Sequence, residues 1–285
     1  MRSRLREAVW PNFRADTARF RSSPSFLILG ADQSGTTTLW RYLGKHRQVL
    51  PSTRRNVGYF GDSFYQGANW YRSHFPLKGT LAARSQLLKA PCITGECSNH
   101  YLWTAASAPR IQSELPSVKL LVMLRDPVAR AVAHHRHNTA IGIERRNFER
   151  CVGVDLELIE RLGSSNRAVP AATPDGGQFG YVRNGLYGSQ LRSWLEHIPR
   201  QRLHIVEAES FFEDPAAEYH RILDFLRLDP SLQARMPPYR PLDDVPAMST
   251  EVRGRLDATF SADFEGLAEQ LGTSFRWDYG QSKAA

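Results

Sequence analysis

Residues 119–124 read Lys-Leu-Leu-Val-Met-Leu. A run that is apolar throughout after its lysine predicts a strand covered on both faces. A second short apolar run, 25–29, is closed by Gly30 and predicts another buried strand. A Gly/Ser/Thr loop over 30–37 follows, then a helix to about Lys45 with Leu39, Tyr42 and Leu43 at helical spacing. Further along, the pattern predicts a short helix over 66–74 ended by Pro76, a short strand over 93–97 and a helix over 108–115. Pro127 opens a helix running to about Thr139. Residues 163–180, rich in Ser, Pro, Gly and Asn, read as a surface loop. An amphipathic helix is expected over 187–198, carrying Leu191, Trp194 and Leu195 on one face, and a strand over 203–206. Asp214-Pro215 gives an N-cap and N1 pair for a helix with Tyr219, Ile222, Leu223 and Leu226. A final helix is expected over roughly 250–271. Strands alternating with helices predict an α/β fold, a central parallel sheet with helices on both faces. No repeat or linker divides the chain, so 25–285 is read as one domain after a basic arm or surface helix at 1–24.

Composition narrows the partners. The 285 residues are 41% hydrophobic and 11% aromatic, which suits a packed globule. Lys and Arg number 37 against 29 Asp and Glu, a formal charge of +8, which favours an anionic partner. No RNP box, zinc-finger spacing or long basic helix is present, so nucleic acid is not the expected one. Cys92, Cys97 and Cys151 form no disulfide framework and read as reduced thiols of a cytoplasmic protein. The Arg-rich start has no apolar core segment, so no membrane association is expected.

The loop Gly30-Ala31-Asp32-Gln33-Ser34-Gly35-Thr36-Thr37-Thr38 holds the candidate chemistry. Glycines let backbone N–H groups approach an anion, and the following helix N-terminus adds a favourable dipole. The Gly-x4-Gly spacing matches a Walker A loop, but Thr36 stands where that motif requires Lys, which disfavours ordinary ATP or GTP hydrolysis. Three threonines behind a buried strand favour phosphate binding over a plain strand-to-helix turn.

Gly30 through Leu39 follows G-x-x-K-[SGA]-G-T-T-x-L except at Gln33. Leu124-Arg125-Asp126-Pro127-Val128-Ala129-Arg130-Ala131-Val132-Ala133 follows L-R-D-P-x-x-R-A-x-S except at its last position. Trp70-Tyr71 with Phe75-Pro76, Thr94-Gly95-Glu96-Cys97-Ser98, and Gly185-Leu186-Tyr187 with Leu191 and Trp194 supply further landmarks in order. On these residues the chain resembles the sulfotransferases that use 3′-phosphoadenosine 5′-phosphosulfate (PAPS), in particular the heparan-sulfate-type branch and its soluble bacterial relatives. The resemblance implies a P-loop-NTPase-like fold and sulfuryl transfer to a hydroxyl or amine of a small molecule or saccharide, without a metal. A homodimer is left open. It implies that Gln33, Ser34, Gly35, Thr36, Thr37 and Thr38 hold the 5′-phosphosulfate. Arg125 would grip the 3′-phosphate, with Ala133 and Tyr187 beside the cofactor and adenosine 3′,5′-bisphosphate (PAP) as product. A planar guanidinium suits two phosphate oxygens at once; an ion pair of Arg125 with Asp126 is the plainer alternative.

Four positions depart from the family's pattern. Its loop lysine is Gln33. Its K-E-x-H-[FY]-F segment appears as Arg55-Asn56-Val57-Gly58-Tyr59-Phe60, so the general-base Glu is Asn56 and the His is Gly58. The serine at the 3′-phosphate is Ala133, and a Pro-Tyr-type pair is Asn99-His100. One lost neutral hydrogen bond costs about 1 kcal/mol, whereas a lost general base costs roughly 10²–10⁴ in rate and a lost charged clamp on the order of 10²–10³. His100 is the candidate replacement base. Arg54 and Arg55 are candidates for the charge missing at Gln33. His134, His135 and His137 follow Arg125 on one helix, where a surface or packing role competes with reach toward the phosphates. Glu96 is a further base candidate, though the matching Glu of relatives reads as structural. A different, PAPS-independent reaction in the same cleft, or binding without turnover, stands beside sulfuryl transfer.

Overall fold

The computed structural model describes residues 14–162, 179–236 and 247–273, together with Pro238, Val245, Phe275 and Trp277. Four parallel strands form its sheet: β1 (Phe26–Ile28), β2 (Gly95–Cys97), β3 (Lys119–Leu124) and β4 (Leu203–Glu207), in the order β2-β1-β3-β4. Phe26 pairs with Gly95 on one side and Lys119 on the other, and Leu120 pairs with Leu203.

Alternate residues of the central strands enter different cores. Leu27 and Leu29, with Leu120, Val122 and Leu124, face one side. Phe26, Ile28, Leu121 and Met123 face the other. Every β3 residue from Leu120 to Leu124 is fully buried, worth about 1.5–3 kcal/mol for each large apolar side chain. The first face is covered by α2 (Gly67–Ser73), α4 (Ser107–Glu114), α7 (Tyr187–Leu195) and α11 (Leu267–Leu271), through residues such as Tyr71, Ile111, Leu191 and Leu267. The second is covered by α1 (Thr36–Lys45), α8 (Ala208–Glu213) and α9 (Pro215–Leu226), through Leu39, Leu43, Phe211 and Ile222. A third cluster joins α5 (Pro127–Ala140), α6 (Phe148–Leu162) and α10 (Thr250–Phe264). The central parallel sheet with helices on both faces expected from the alternation is present, in the P-loop-like form that the resemblance implied.

Caps explain the element starts. Asp126 accepts from Ala129 N at 2.7 Å with Pro127 at the first turn of α5, and Asp214 accepts from Ala217 N at 3.0 Å above Pro215. The single helix expected over 250–271 is instead two, α10 and α11, broken at Glu265-Gly266 where the chain turns through a positive φ. The expectation ran the apolar pattern past a glycine that ends one helix and starts another. Three helices were not foreseen: α3 (Lys78–Leu88), α6 and α8. None of the α3 residues is buried, so no apolar stripe marks it. The loop read over 163–180 lies mostly outside the described residues, as do residues 1–13 of the arm. From Arg14 onward the arm is pinned: Arg14 Nε donates to Ser73 O at 2.6 Å and Arg21 Nη1 to Phe75 O at 2.8 Å.

One edge feature positions the site. Residues 48–56 run along the free side of β2. Ile93 N donates to Gln48 O at 2.8 Å, Leu50 N to Ile93 O at 2.9 Å, Ser52 N to Gly95 O at 3.0 Å and Asn56 N to Cys97 O at 2.7 Å. Residues 54–56 are thereby delivered to the same end of the sheet as the glycine loop.

Candidate active site

β1 runs straight into the loop. Met123 N donates to Gly30 O at 2.8 Å and Ala31 N to Met123 O at 2.7 Å, so the loop begins as a continuation of the sheet. The turn into α1 is made at Gly35, whose φ of 97° is open to glycine and strained for other residues. No side chain caps α1; Thr38 N is spent on Gly35 O at 2.9 Å, and the amides of Thr36 and Thr37 are the donors its N-terminus offers. Thr36 is buried against the Cys97 thiol, Thr37 is exposed, and Thr38 is half-buried.

Arg125 leaves the end of β3 buried, 3% exposed, and its Nη1 donates to Gln33 O at 3.3 Å. The guanidinium is therefore turned toward the loop. The backbone beside it is fixed by Glu209, which accepts from Asp126 N at 2.9 Å and from Trp277 Nε1 at 3.1 Å. Beneath the loop, Ser34 and Tyr187 bury their hydroxyls, and neither makes a hydrogen bond of good geometry to the described residues. They are close enough to act on one another. Burial pushes the Tyr187 phenol up to about 12, opposed by the charge of Arg130, the Ser34 hydroxyl and the Arg125 backbone. Ala133 sits buried on α5 with no polar group to offer.

Arg130 was missed as a site residue although it lies inside the quoted motif. Its side chain is fully buried; Nη2 donates to Tyr181 O, while Nε and Nη1 have no hydrogen-bond partner among the described residues. Burial lowers its pKa, and Tyr187, Asp32 and Asp155 oppose that shift. Buried donors at Ser34, Tyr187 and Arg130 that have no hydrogen-bond partner among the described residues are the set an oxygen-rich anion would satisfy. Asp32 was also passed over. It puts a carboxylate inside the loop, and the Gly30-to-Thr38 stretch contains no Lys or Arg.

On the β2 side, Asn56 is exposed, with its Oδ1 3.5 Å from Asn99 N. Glu96 cannot serve as a base in this arrangement. It is fully buried, accepts from Tyr71 and Tyr101 hydroxyls at 2.9 Å each and from Ser98 at 2.7 Å, and burial raises its pKa. Ser98 in turn accepts from Gly58 N at 3.0 Å, so Glu96 anchors the segment that carries Asn56 and Gly58.

His100 fills the room that Gly58 leaves. A Cβ at Gly58 would lie 3.3 Å from the His100 ring and one at Gly61 only 2.7 Å from Nε2. That Nε2 is buried and has no hydrogen-bond partner among the described residues. Burial lowers the imidazole pKa, opposed by Asp62 and Asp32, so the ring is neutral at pH 7. His134 packs edge-on to Tyr181, and His135 lies against Phe148 and Tyr181 with its Nε2 2.9 Å from the accepting Arg146 O. Among the described residues, no group of three or more His, Cys, Asp or Glu side chains is placed to hold a metal ion. No helix among them is long and apolar enough to cross a membrane.

A parallel sheet whose first strand feeds a glycine loop and an uncapped helix, flanked by an arginine from the neighbouring strand's end, defines a P-loop-like α/β protein. The sulfotransferase domain model matches residues 23–237, and the chain belongs to that family. It is 28% identical over 225 residues to the bifunctional heparan sulfate N-deacetylase/N-sulfotransferase of Drosophila melanogaster, covering 74% of this chain and 20% of that protein. It is 30% identical over 211 residues to heparan sulfate glucosamine 3-O-sulfotransferase 3B1 of Mus musculus, covering 72% of this chain and 46% of that protein. The chain thus spans less than half the length of either relative. Among solved structures, a sulfotransferase from Alicyclobacillus acidocaldarius superposes with a TM-score of 0.66 at 22% identity, over 91% of this chain and all of that one.

Proposed function

We propose that this protein transfers a sulfuryl group from PAPS to a hydroxyl or amine of a small molecule or saccharide. The observation that carries the reading is the aim of Arg125 at the Gln33 carbonyl, across the loop from the bare α1 N-terminus. PAPS, when bound, supplies an activated sulfuryl group on a phosphate leaving oxygen. In this reading the α1 amides with Ser34, Thr36, Thr37 and Thr38 hold the 5′ end, and Arg125 holds the 3′-phosphate. His100, neutral at pH 7, takes the proton released when the acceptor oxygen or nitrogen bonds to sulfur. The relatives named for heparan sulfate support a saccharide-like acceptor. A cytoplasmic location belongs to this reading and draws support from three free, buried cysteines.

The test is a thermal melt with PAP and PAPS. A rise in Tm at micromolar to millimolar ligand is expected, and no shift at millimolar PAP would overturn the reading. A second reading, binding without turnover, is favoured by Asn56, because an amide cannot take the acceptor's proton. PAP binding with no release of PAP from PAPS under any acceptor mixture would select it.

A further inference from the structure

We infer that Arg55 is the cation serving the 5′-phosphate end of this site, in the role left vacant by the uncharged Gln33. The inference rests on the sulfuryl-transfer reading and adds a residue to its machinery.

The loop alone has an unfavourable charge for an anion: Asp32 is its one ionisable residue. The compensating charge arrives from another element. Arg55 Nη1 donates to the Thr37 hydroxyl, in the first turn of α1 and 18 residues away in sequence. Its backbone is held on both sides by the ladder along β2, from Ser52 N on Gly95 O to Asn56 N on Cys97 O. The side chain is thus presented from a fixed base. Its charge reaches inward: burial pushes the Cys97 thiol next to Thr36 up, and the Arg55 guanidinium opposes that shift. No ion pair of Arg55 with a carboxylate is found among the described residues, so its charge stays available for a ligand.

The neighbouring arginine is directed elsewhere. Arg54 lies 5.5 Å over the Trp70 ring and donates to Val57 O at 3.3 Å. Arg125 approaches the loop from the β3 side. The loop is therefore flanked by Arg125 from the end of β3 and by Arg55 from the edge segment beside β2, and Arg55 is the one at the helix turn that would meet the 5′-phosphate. As the bond from sulfur to the phosphate oxygen breaks, its electron pair stays on that oxygen; a guanidinium at this place stabilises the growing charge.

The experiment compares PAP with adenosine 3′-phosphate, which lacks the 5′-phosphate, by calorimetry on the full chain. Wild type should prefer PAP. Arg55→Ala should cut that preference by about 10–100-fold, the range for a charge-assisted hydrogen bond. Arg55→Lys should retain part of it, and Arg55→Ala with Gln33→Lys should recover it to within about threefold, because the charge is restored from the loop itself. Arg54→Ala should leave it unchanged. An unchanged preference in Arg55→Ala, or no recovery with Gln33→Lys, overturns the role of Arg55 while PAP binding by wild type leaves the sulfuryl-transfer reading intact. A wild type that binds neither ligand overturns both.

Discussion

Replacing Arg125 by alanine should remove selectivity for the 3′-phosphate while leaving the fold in place. The guanidinium is 3% exposed and its Nη1 donates to Gln33 O at 3.3 Å, which turns its planar fork toward the loop. Two charge-assisted bonds from a planar fork contribute about 1.5 kcal/mol or more each, or roughly 3 kcal/mol together. That corresponds to about a 100-fold change in affinity. Calorimetry with PAP and with adenosine 5′-phosphate, on wild type and on Arg125→Ala, forms a cycle between the side chain and the 3′-phosphate. Wild type should favour PAP strongly, and Arg125→Ala should bind the two ligands within a few-fold. Arg125→Lys should fall between, since it keeps the charge and loses the fork. If Arg125→Ala weakens both ligands equally, or neither, the guanidinium does not hold the 3′-phosphate and the reasoning fails. A urea titration on the same variant separates loss of binding from loss of folding.

Other consequences are equally concrete. Glu96→Ala would leave the Tyr71, Tyr101 and Ser98 hydroxyls without their acceptor inside the core, and a loss of about 3 kcal/mol or more is expected in urea unfolding. Ala133→Ser should tighten PAP by no more than about tenfold, the scale of one added hydrogen bond, read by calorimetry. His100→Gln should lower turnover of PAPS roughly 10²–10⁴-fold with PAP affinity within about threefold, and should remove the acid limb of the pH profile. His74 is 8% exposed, and burial, with Arg54 and Arg14, lowers its pKa from 6.5 to about 4. The unfolded chain takes up the proton first. This stability is therefore complete above pH 6.5 and lost as pH falls toward 4, by roughly 3 kcal/mol at most; His74→Gln should flatten that part of a stability profile.

What could be read from the chain was local. The β3 strand was legible because five consecutive apolar residues have no other soluble use, and α9 because Asp214-Pro215 marks its start. The glycine loop and Arg125 were legible because each lies within ten residues of the strand that positions it. The decisive contacts were not. Arg55 meets Thr37 across 18 residues, and His100 meets Gly58 across 42, through a β2 edge whose pairing no local pattern announces. Arg54 and Arg55 were indistinguishable as letters; only the direction of each side chain separates them. Asp32 and Arg130 lay in plain view inside the motifs, but the burial of Arg130 and the lack of hydrogen-bond partners for its Nε and Nη1 among the described residues belong to the folded state. The helix α6 was passed over even though Cys151, Val152, Asp155 and Leu156 fall on one face, because a charged residue among them broke the apolar reading.

The bracing of the glycine loop has a kinetic corollary. With guanidinium groups anchored to it from the end of β3 and from the edge segment beside β2, and its entry strand hydrogen-bonded through Ala31, little remains to reorganise when a nucleotide arrives. Stopped-flow association should then be one exponential whose rate climbs linearly with nucleotide concentration, free of the plateau that a slow closing step imposes.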